Sequence, residues 1–272
     1  MNLLPIEKKI IDAIEQKRLG IDILIDNVPE LSTDFIKVFL SLKCKNKKII
    51  RKILSIGNMQ DIDIHYDFLY HYTKAPEPGY FMETLKLLLQ RGVSPSSLSY
   101  NYPFSLVFRL QHKALSLLLD FGLNADSETF VNNERFSLLT LTVKQKKYSM
   151  AKNLIDKGAN PNIQFFDGKS ALEILSTRYA EDSYNMLLYL LEHGADPNLL
   201  FSTGKNLLFT AMMSKNYVLV KTMIINGEKY GVDLAATDSR GRGLSYYSNR
   251  YEMSKMITLA LLENSKIERL AI

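Results

Sequence analysis

A single cysteine, Cys44, stands in 272 residues, so no internal disulfide can form and a disulfide-stapled scaffold is excluded. Tryptophan is missing altogether. Eight prolines and thirteen glycines are too few for a collagen-like or linker-rich chain. No run approaches the ~18 uninterrupted apolar residues that a membrane-spanning helix needs. Near the N-terminus, Glu7, Lys8 and Lys9 interrupt the sequence before an apolar stretch builds up. That argues against a cleaved export signal and sets the expectation of a cytoplasmic protein. No Asn-X-Ser/Thr sequon occurs, in keeping with a chain that meets no glycosylating compartment. Histidine is confined to His65, His71, His112 and His193, and no Cys or His pair has a zinc-ligand spacing, so no metal is expected.

What is present is ordinary for a folded chain: 46% hydrophobic and 23% charged residues, which excludes disorder throughout. The formal charge is +5, mild for this length, whereas nucleic-acid-binding domains concentrate more. It is unevenly spread. Residues 1–60 hold eleven Lys/Arg against seven Asp/Glu, a net +4 that leaves +1 for the rest. Six of these cations, Lys43, Lys45, Lys47, Lys48, Arg51 and Lys52, form one run.

The chain repeats itself. Leu85–Pro95, Leu115–Asp126, Ala151–Asn162 and Leu187–Asn198 each read as an apolar helical run, a Gly, a small or apolar residue and an Asp/Asn/Ser turn. Their glycines, Gly92, Gly122, Gly158 and Gly194, are 30, 36 and 36 residues apart. Gly57 and Gly227 extend the series at either end, while Asn27 stands where the first glycine belongs. A second signal runs out of phase: Leu106, Leu138, Leu172, Leu208 and Leu244 are spaced 32, 34, 36 and 36. Each glycine is expected to end a helix in the left-handed conformation that costs it nothing. Ser170 and Asn206 are expected to cap the helices that follow them.

The Gly-Ala-Asn-Pro-Asn162 and Gly-Ala-Asp-Pro-Asn198 strings, with Asp167-Gly168 and an apolar helix downstream, resemble the ankyrin repeat, a ~33-residue unit of a β-turn and two antiparallel helices. The resemblance covers about 50–264 and is strongest over 103–244. It implies an all-α solenoid of about seven helix-turn-helix units with terminal capping helices, in one domain spanning 1–272. Residues 1–50 form a degenerate N-terminal cap and first repeats, 51–244 the recognisable repeats and 245–272 a C-terminal cap whose tail, 265–272, frays. The family's Thr-Pro-Leu-His tetrapeptide is nowhere intact; Ser170-Ala-Leu-Glu173 stands in one such place, so the hydrogen bonds of that histidine must be replaced. Inserts at 74–79, 178–184 and 226–231 break the period, either as binding loops or as tolerated surface insertions.

Catalysis finds no support in the residue pattern. Gly168-Lys169-Ser170 imitates the end of a phosphate loop, but position 163 is Ile where that loop needs Gly. Cys44, between two lysines, is the one candidate nucleophile for an enzyme, and no histidine accompanies it in sequence. No cofactor or small-molecule substrate is expected. The basic run 43–52 reads as a solvated face or as a patch for an acidic partner, an anionic membrane headgroup or nucleic acid. Nucleic acid is disfavoured because the cations sit at one end instead of in every repeat.

The sharper surface signal lies in the turns joining repeats, which the resemblance makes a row of protruding fingers beside a concave helix face. They carry Tyr100, Tyr102, Phe130, Phe165, Phe166, Leu200 and Phe201, an aromatic column at spacings of 30, 35 and 36. Either the column is exposed and anchors another protein, or it folds back onto neighbouring fingers. The expected function is therefore protein–protein interaction without catalysis. The divergent repeats, rich in Lys, Asn and Ile and without an export signal, also resemble the ankyrin-repeat proteins that intracellular bacteria deliver into host cytoplasm, or those of large DNA viruses.

Overall fold

In the computed structural model the described residues are 3–42, 46–58, 78–97, 102–109, 111–131, 134–165 and 169–270. They are mostly helical, with sixteen α-helices, and fall into two compact units, Met1–Asn124 and Ala125–Ile272.

In the first unit, α1 (Pro5–Glu15) and α2 (Ile21–Asp26) form a hairpin, and α3 (Thr33–Ser41) and α4 (Lys47–Ile56) follow. α5 (Pro78–Gln90) follows, and a last hairpin joins α6 (Tyr102–Phe108) to α7 (His112–Asp120). α2 packs on α4, α4 on α5 and α5 on α7. Glu7 is fully buried, where its carboxylate accepts hydrogen bonds from the Leu4 amide at 2.8 Å and the Ser32 amide at 2.7 Å. A charge so placed is tolerated only because both oxygens find donors, and it ties α1 to the residue that caps α3.

The second unit opens with an antiparallel hairpin of β1 (Glu128–Val131) and β2 (Glu134–Ser137), paired in the register Phe130 to Arg135. The helices then alternate between two layers. An inner layer holds α8 (Leu138–Lys144), α10 (Ala171–Ser176), α12 (Leu207–Met213) and α15 (Leu244–Arg250). An outer layer holds α9 (Tyr148–Asp156), α11 (Glu181–Glu192), α13 (Tyr217–Ile225) and α16 (Ser254–Leu270). Each inner helix packs on the next, and α9 packs on α11 and α13 on α16. The inner helices are six or seven residues long, and the first six residues of α8, α10 and α12 are all buried. Ser137, Ser170 and Asn206 cap them through the amides of Thr140, Glu173 and Phe209. Each cap satisfies one of the orphan amides of a helix start, worth about 1 kcal/mol.

The repeat glycines behave as their spacing predicts in four cases. Gly92, Gly122, Gly158 and Gly194 have φ of 90, 93, 86 and 89°. The next residue's amide reaches back to close the helix end, as Ala159 does to Leu154 and Ala195 to Leu190 at 2.9 Å. Two expected members differ. Gly57 is extended, with φ −75°, and forms a parallel bridge with Leu31. Gly227 begins a short helix, α14 (Gly227–Tyr230), and the left-handed exit falls on Gly231 at φ 69°. The 226–231 insert is thus one extra helical turn that displaces the exit glycine. At the C-terminus α16 continues to Leu270 where fraying from 265 was expected.

A chain of Asn and Asp side chains links the exits of successive hairpins. Asp126 Oδ1 accepts from the Asn160 amide at 2.8 Å, Asn162 Oδ1 from the Asp196 amide at 2.8 Å and Asn198 Oδ1 from the Asp233 amide at 2.8 Å. Asn162 Nδ2 and Asn198 Nδ2 also donate to the carbonyls of Gly194 and Gly231. Tyrosines brace the outer layer in the same sense: Tyr148 to Ser183 and Tyr184 to Thr222, both at 2.7 Å.

Between an inner helix and its outer partner the chain turns through a left-handed residue that is not glycine: Lys146 at φ 57°, Lys215 at 56° and Glu252 at 57°. The α10–α11 connection instead carries the 178–184 insert, and Arg178 reaches back to the α8 end. Its guanidinium donates to the Val143 carbonyl at 2.8 Å, the Lys144 carbonyl at 3.0 Å and Tyr148 Oη at 3.1 Å. A cation at the C-terminal carbonyls of a helix complements the dipole there.

Two substitutions probe this architecture. Asn162→Ala removes one acceptor and one donor between hairpins and is expected to lower unfolding free energy by about 1–2 kcal/mol. Lys215→Gly relieves a left-handed lysine and is expected to raise it by about 0.5–1 kcal/mol, net of glycine's larger chain entropy. Urea titration followed by circular dichroism reads both.

Candidate interaction surface

The antiparallel hairpin β1–β2 is the two-stranded sheet among the described residues. Its Asn132-Asn133 tip lies outside them. Phe130 on β1 is 54% exposed. Across the pair, the Arg135 guanidinium lies over the Phe130 ring at 5.0 Å and over the Phe165 ring, from the next finger, at 5.4 Å. Arg135 also approaches the Glu128 carboxylate at 3.9 Å. A cation between two aromatic faces is held electrostatically and by contact area. Glu134 pairs with Lys144 at the end of α8, and the Lys144 ammonium covers Phe136, which is buried. The hairpin is therefore fastened to its own inner helix while Phe130 stays in solvent.

The remaining sequence-predicted anchors are distributed differently from a single exposed column. Phe165 is half-buried against Arg135, and Leu200 is 41% exposed. Phe201 is only 3% exposed. Its amide donates to the Lys205 carbonyl and its carbonyl accepts from the Gly204 amide, so the ring closes its own turn and is withdrawn from any partner. Periodicity alone could not separate Phe130 from Phe201, because a residue at one repeat position points out of a wide hairpin and into a tight turn. Tyr102 opens α6, with a side chain outside the described residues, and Tyr100 and Phe166 lie outside them altogether.

The basic run is paired with carboxylates. Lys48 meets Asp22 at 2.8 Å, Lys52 meets Asp26, and Arg51 meets Glu83. The Lys48 contact draws the Asp22 carboxyl below its usual value and lifts the Lys48 ammonium above its own. These partners come from α2 and α5, 26 to 32 residues away in sequence, and the three cations are drawn into joining helices. Lys43, Lys45 and Cys44 lie outside the described residues, as does the Lys47 side chain.

Two features escaped sequence reasoning. One is an apolar cluster at the turns opposite the fingers: Tyr179, 66% exposed, with Met213, Tyr217 and Val218. Tyr179 Oη donates to the Ser214 carbonyl and Asn216 Nδ2 to the Arg178 carbonyl, which bring the two turns together. The other is a buried polar knot in the last finger. Asp238 accepts from the Arg240 and Arg242 amides at 2.9 Å, from Arg242 Nε at 2.8 Å and from Tyr247 Oη at 2.7 Å. Tyr247 is itself buried, stacked on Phe209 with centroids 4.4 Å apart. Burial opposes ionisation of Asp238, but the Arg242 guanidinium and the converging donors outweigh it and hold the carboxyl well below its usual range. Burial, then the Asp238 charge, push the Tyr247 phenol up to about 12. The Asp-x-x-Gly spacing of 238–241 announces a turn, but it gives no sign of the tyrosine nine residues from Asp238 that completes the knot.

Among the described residues no group of three His, Cys, Asp or Glu side chains converges in a way that could hold a metal, and no helix is long and apolar enough to cross a membrane. No protein-family model matches the chain, and no curated protein matches it in sequence.

The knot carries a pH signature. Because Asp238 is lowered in the folded state, its contribution is present above the solvated value of 3.8 and is lost as pH falls below it. Asp238→Asn should lower stability at neutral pH and flatten the acid limb of the midpoint-versus-pH curve, read by urea titrations from about pH 6 downward. An acid limb identical to that of the natural chain would show that other carboxylates govern it.

Proposed function

We propose that the chain is a divergent ankyrin-repeat protein that works by holding another protein, without catalysis. The reading starts from the helical hairpins that recur every 33–37 residues, with glycine exits and Ser or Asn caps at matching places. The observation that carries it is the exposed Phe130 braced by Arg135 and Phe165. Aromatic and arginine side chains dominate the energetics of protein interfaces. A ring kept 54% in water while its neighbours fix its position is a surface already ordered for contact. The inner helices α8, α10 and α12 offer little: their first six residues are buried, so the contact would run along the fingers and not across a helix face.

Anion binding at the 43–52 run draws no comparable support, since Lys48, Arg51 and Lys52 are committed to Asp22, Asp26 and Glu83. Carboxylates that neutralise a patch also weaken its field at a distance.

The test is affinity capture followed by titration of the recovered partner, with Phe130→Ala/Arg135→Ala as the comparison. Loss of two anchors is expected to weaken binding by at least about thirtyfold, equivalent to about 2 kcal/mol, with an unchanged circular dichroism spectrum. Equal affinity of the two forms for every recovered protein would overturn the role of this finger.

A further inference from the structure

We infer that Glu173 is a proton-operated latch that fastens the loop 199–205 to inner helix α10. Glu173 stands where the ankyrin resemblance would put histidine, and it is 3% exposed. Its two carboxyl oxygens share one side-chain donor, the Ser202 hydroxyl, at 3.1 and 3.3 Å, to which the Ser202 backbone adds a weaker pull. An ionised carboxylate has about four lone-pair sites to satisfy, and Glu7, with an amide on each oxygen, and Asp238, with four donor groups, show how this chain provides for one. Glu173 is provided for as a neutral carboxyl would be, and a single hydroxyl serves that form well.

The surroundings agree. α10 packs against α8, α11 and α12. The charged groups on or beside those elements are Glu134, Arg135, Lys144, Lys146 and Lys147 about α8, Arg178, Glu181, Asp182 and Glu192 about α11, and Lys215 after α12, which carries none itself. Among the described residues, the charged groups that act on Glu173 are Lys169, preceding α10, and Lys205, at the end of the loop. Lys205 directs its ammonium to the Thr203 carbonyl at 3.0 Å. Burial pushes the carboxyl above its ordinary value, and the pull of Ser202, Lys169 and Lys205 in the other direction is smaller.

The loop 199–205 is short and carries Phe201, which is buried in the closed form. It is closed by the Gly204 amide to Phe201 carbonyl bond at 2.7 Å and touches the next finger through the Ser239 amide to Gly204 carbonyl bond at 2.9 Å. When it opens, Glu173 enters water and releases its proton there. The closed form binds more protons than the open one, so rising pH favours opening. The window begins at 4.5, the value of a solvated glutamate, and ends at the higher value of the closed form.

Amide hydrogen exchange at Phe201, Gly204 and Ser239, corrected for the base dependence of the chemical step, tests the latch on the full chain. Protection is expected to fall by up to about tenfold per pH unit inside the window. In Glu173→Gln, which keeps the shape and the Ser202 contact but cannot ionise, it should stay flat. In Ser202→Ala, which leaves the carboxyl without its donor, the fall should extend to higher pH. Protection independent of pH in the natural chain, an equal slope in Glu173→Gln, or an unshifted upper limit in Ser202→Ala would each overturn the inference.

Discussion

The second unit depends on helices too short to stand alone. A helix of six residues lies far below the ~12–15 residues at which an isolated helix becomes marginal in water, and α10 has six. All six residues are buried, Ser176 and Glu173 included. Such a segment has no polar side to give to solvent. It exists because α8 and α12 flank it, α11 backs it and Ser170 fixes its first turn. Two hydroxyls inside this layer are met locally, Thr142 and Ser176 bonding the carbonyls three residues behind them, while the buried Thr210 hydroxyl on α12 has no hydrogen-bond partner among the described residues. The unit of stability is therefore the contact between hairpins more than the hairpin itself.

That dependence explains where the polar and aromatic residues go. Asn and Asp at the exits link one hairpin to the next through amides that no helix could use. Tyr148 and Tyr184 do the same between outer helices. Much of the tyrosine that composition makes available for recognition is spent on cohesion. Phe201 belongs to the same class, turned inward to close its loop. Phe130, on a hairpin that its own salt bridge holds down, and the Tyr179 group are among the large apolar side chains left in solvent, together with Leu200 and, on α16, Leu259 and Leu262.

The local rules of the fold were legible. Glycine exits at Gly92, Gly122, Gly158 and Gly194 and caps at Ser170 and Asn206 follow from residue type and period, because each solves a backbone problem inside its own turn. Gly227 was misleading for an equally local reason: one added helical turn moves the exit to Gly231 without disturbing the apolar run before it. Side-chain direction in the fingers was not legible, since the same repeat position meets a wide hairpin at Phe130 and a tight turn at Phe201. Nor was the pairing of Lys48, Arg51 and Lys52, whose carboxylates sit on other helices, 26 to 32 residues away. Asn132-Asn133 between Glu128–Val131 and Glu134–Ser137 was a readable hairpin signal. It would have pointed to Arg135 as well as Phe130.

Arg178 shows what an insertion can contribute. Its guanidinium grips the end of α8 and the first residue of α9, its backbone joins α10 to α11, and its carbonyl is held by Asn216 ahead of α13. One residue thus bridges three consecutive hairpins, where the Asn and Asp links at the exits each join two. Pulled from its C-terminal end, such an array would shed the α15–α16 hairpin alone and then meet three hairpins that Arg178 ties into one block, so the insertion sets the size of the second piece to unzip and not of the first.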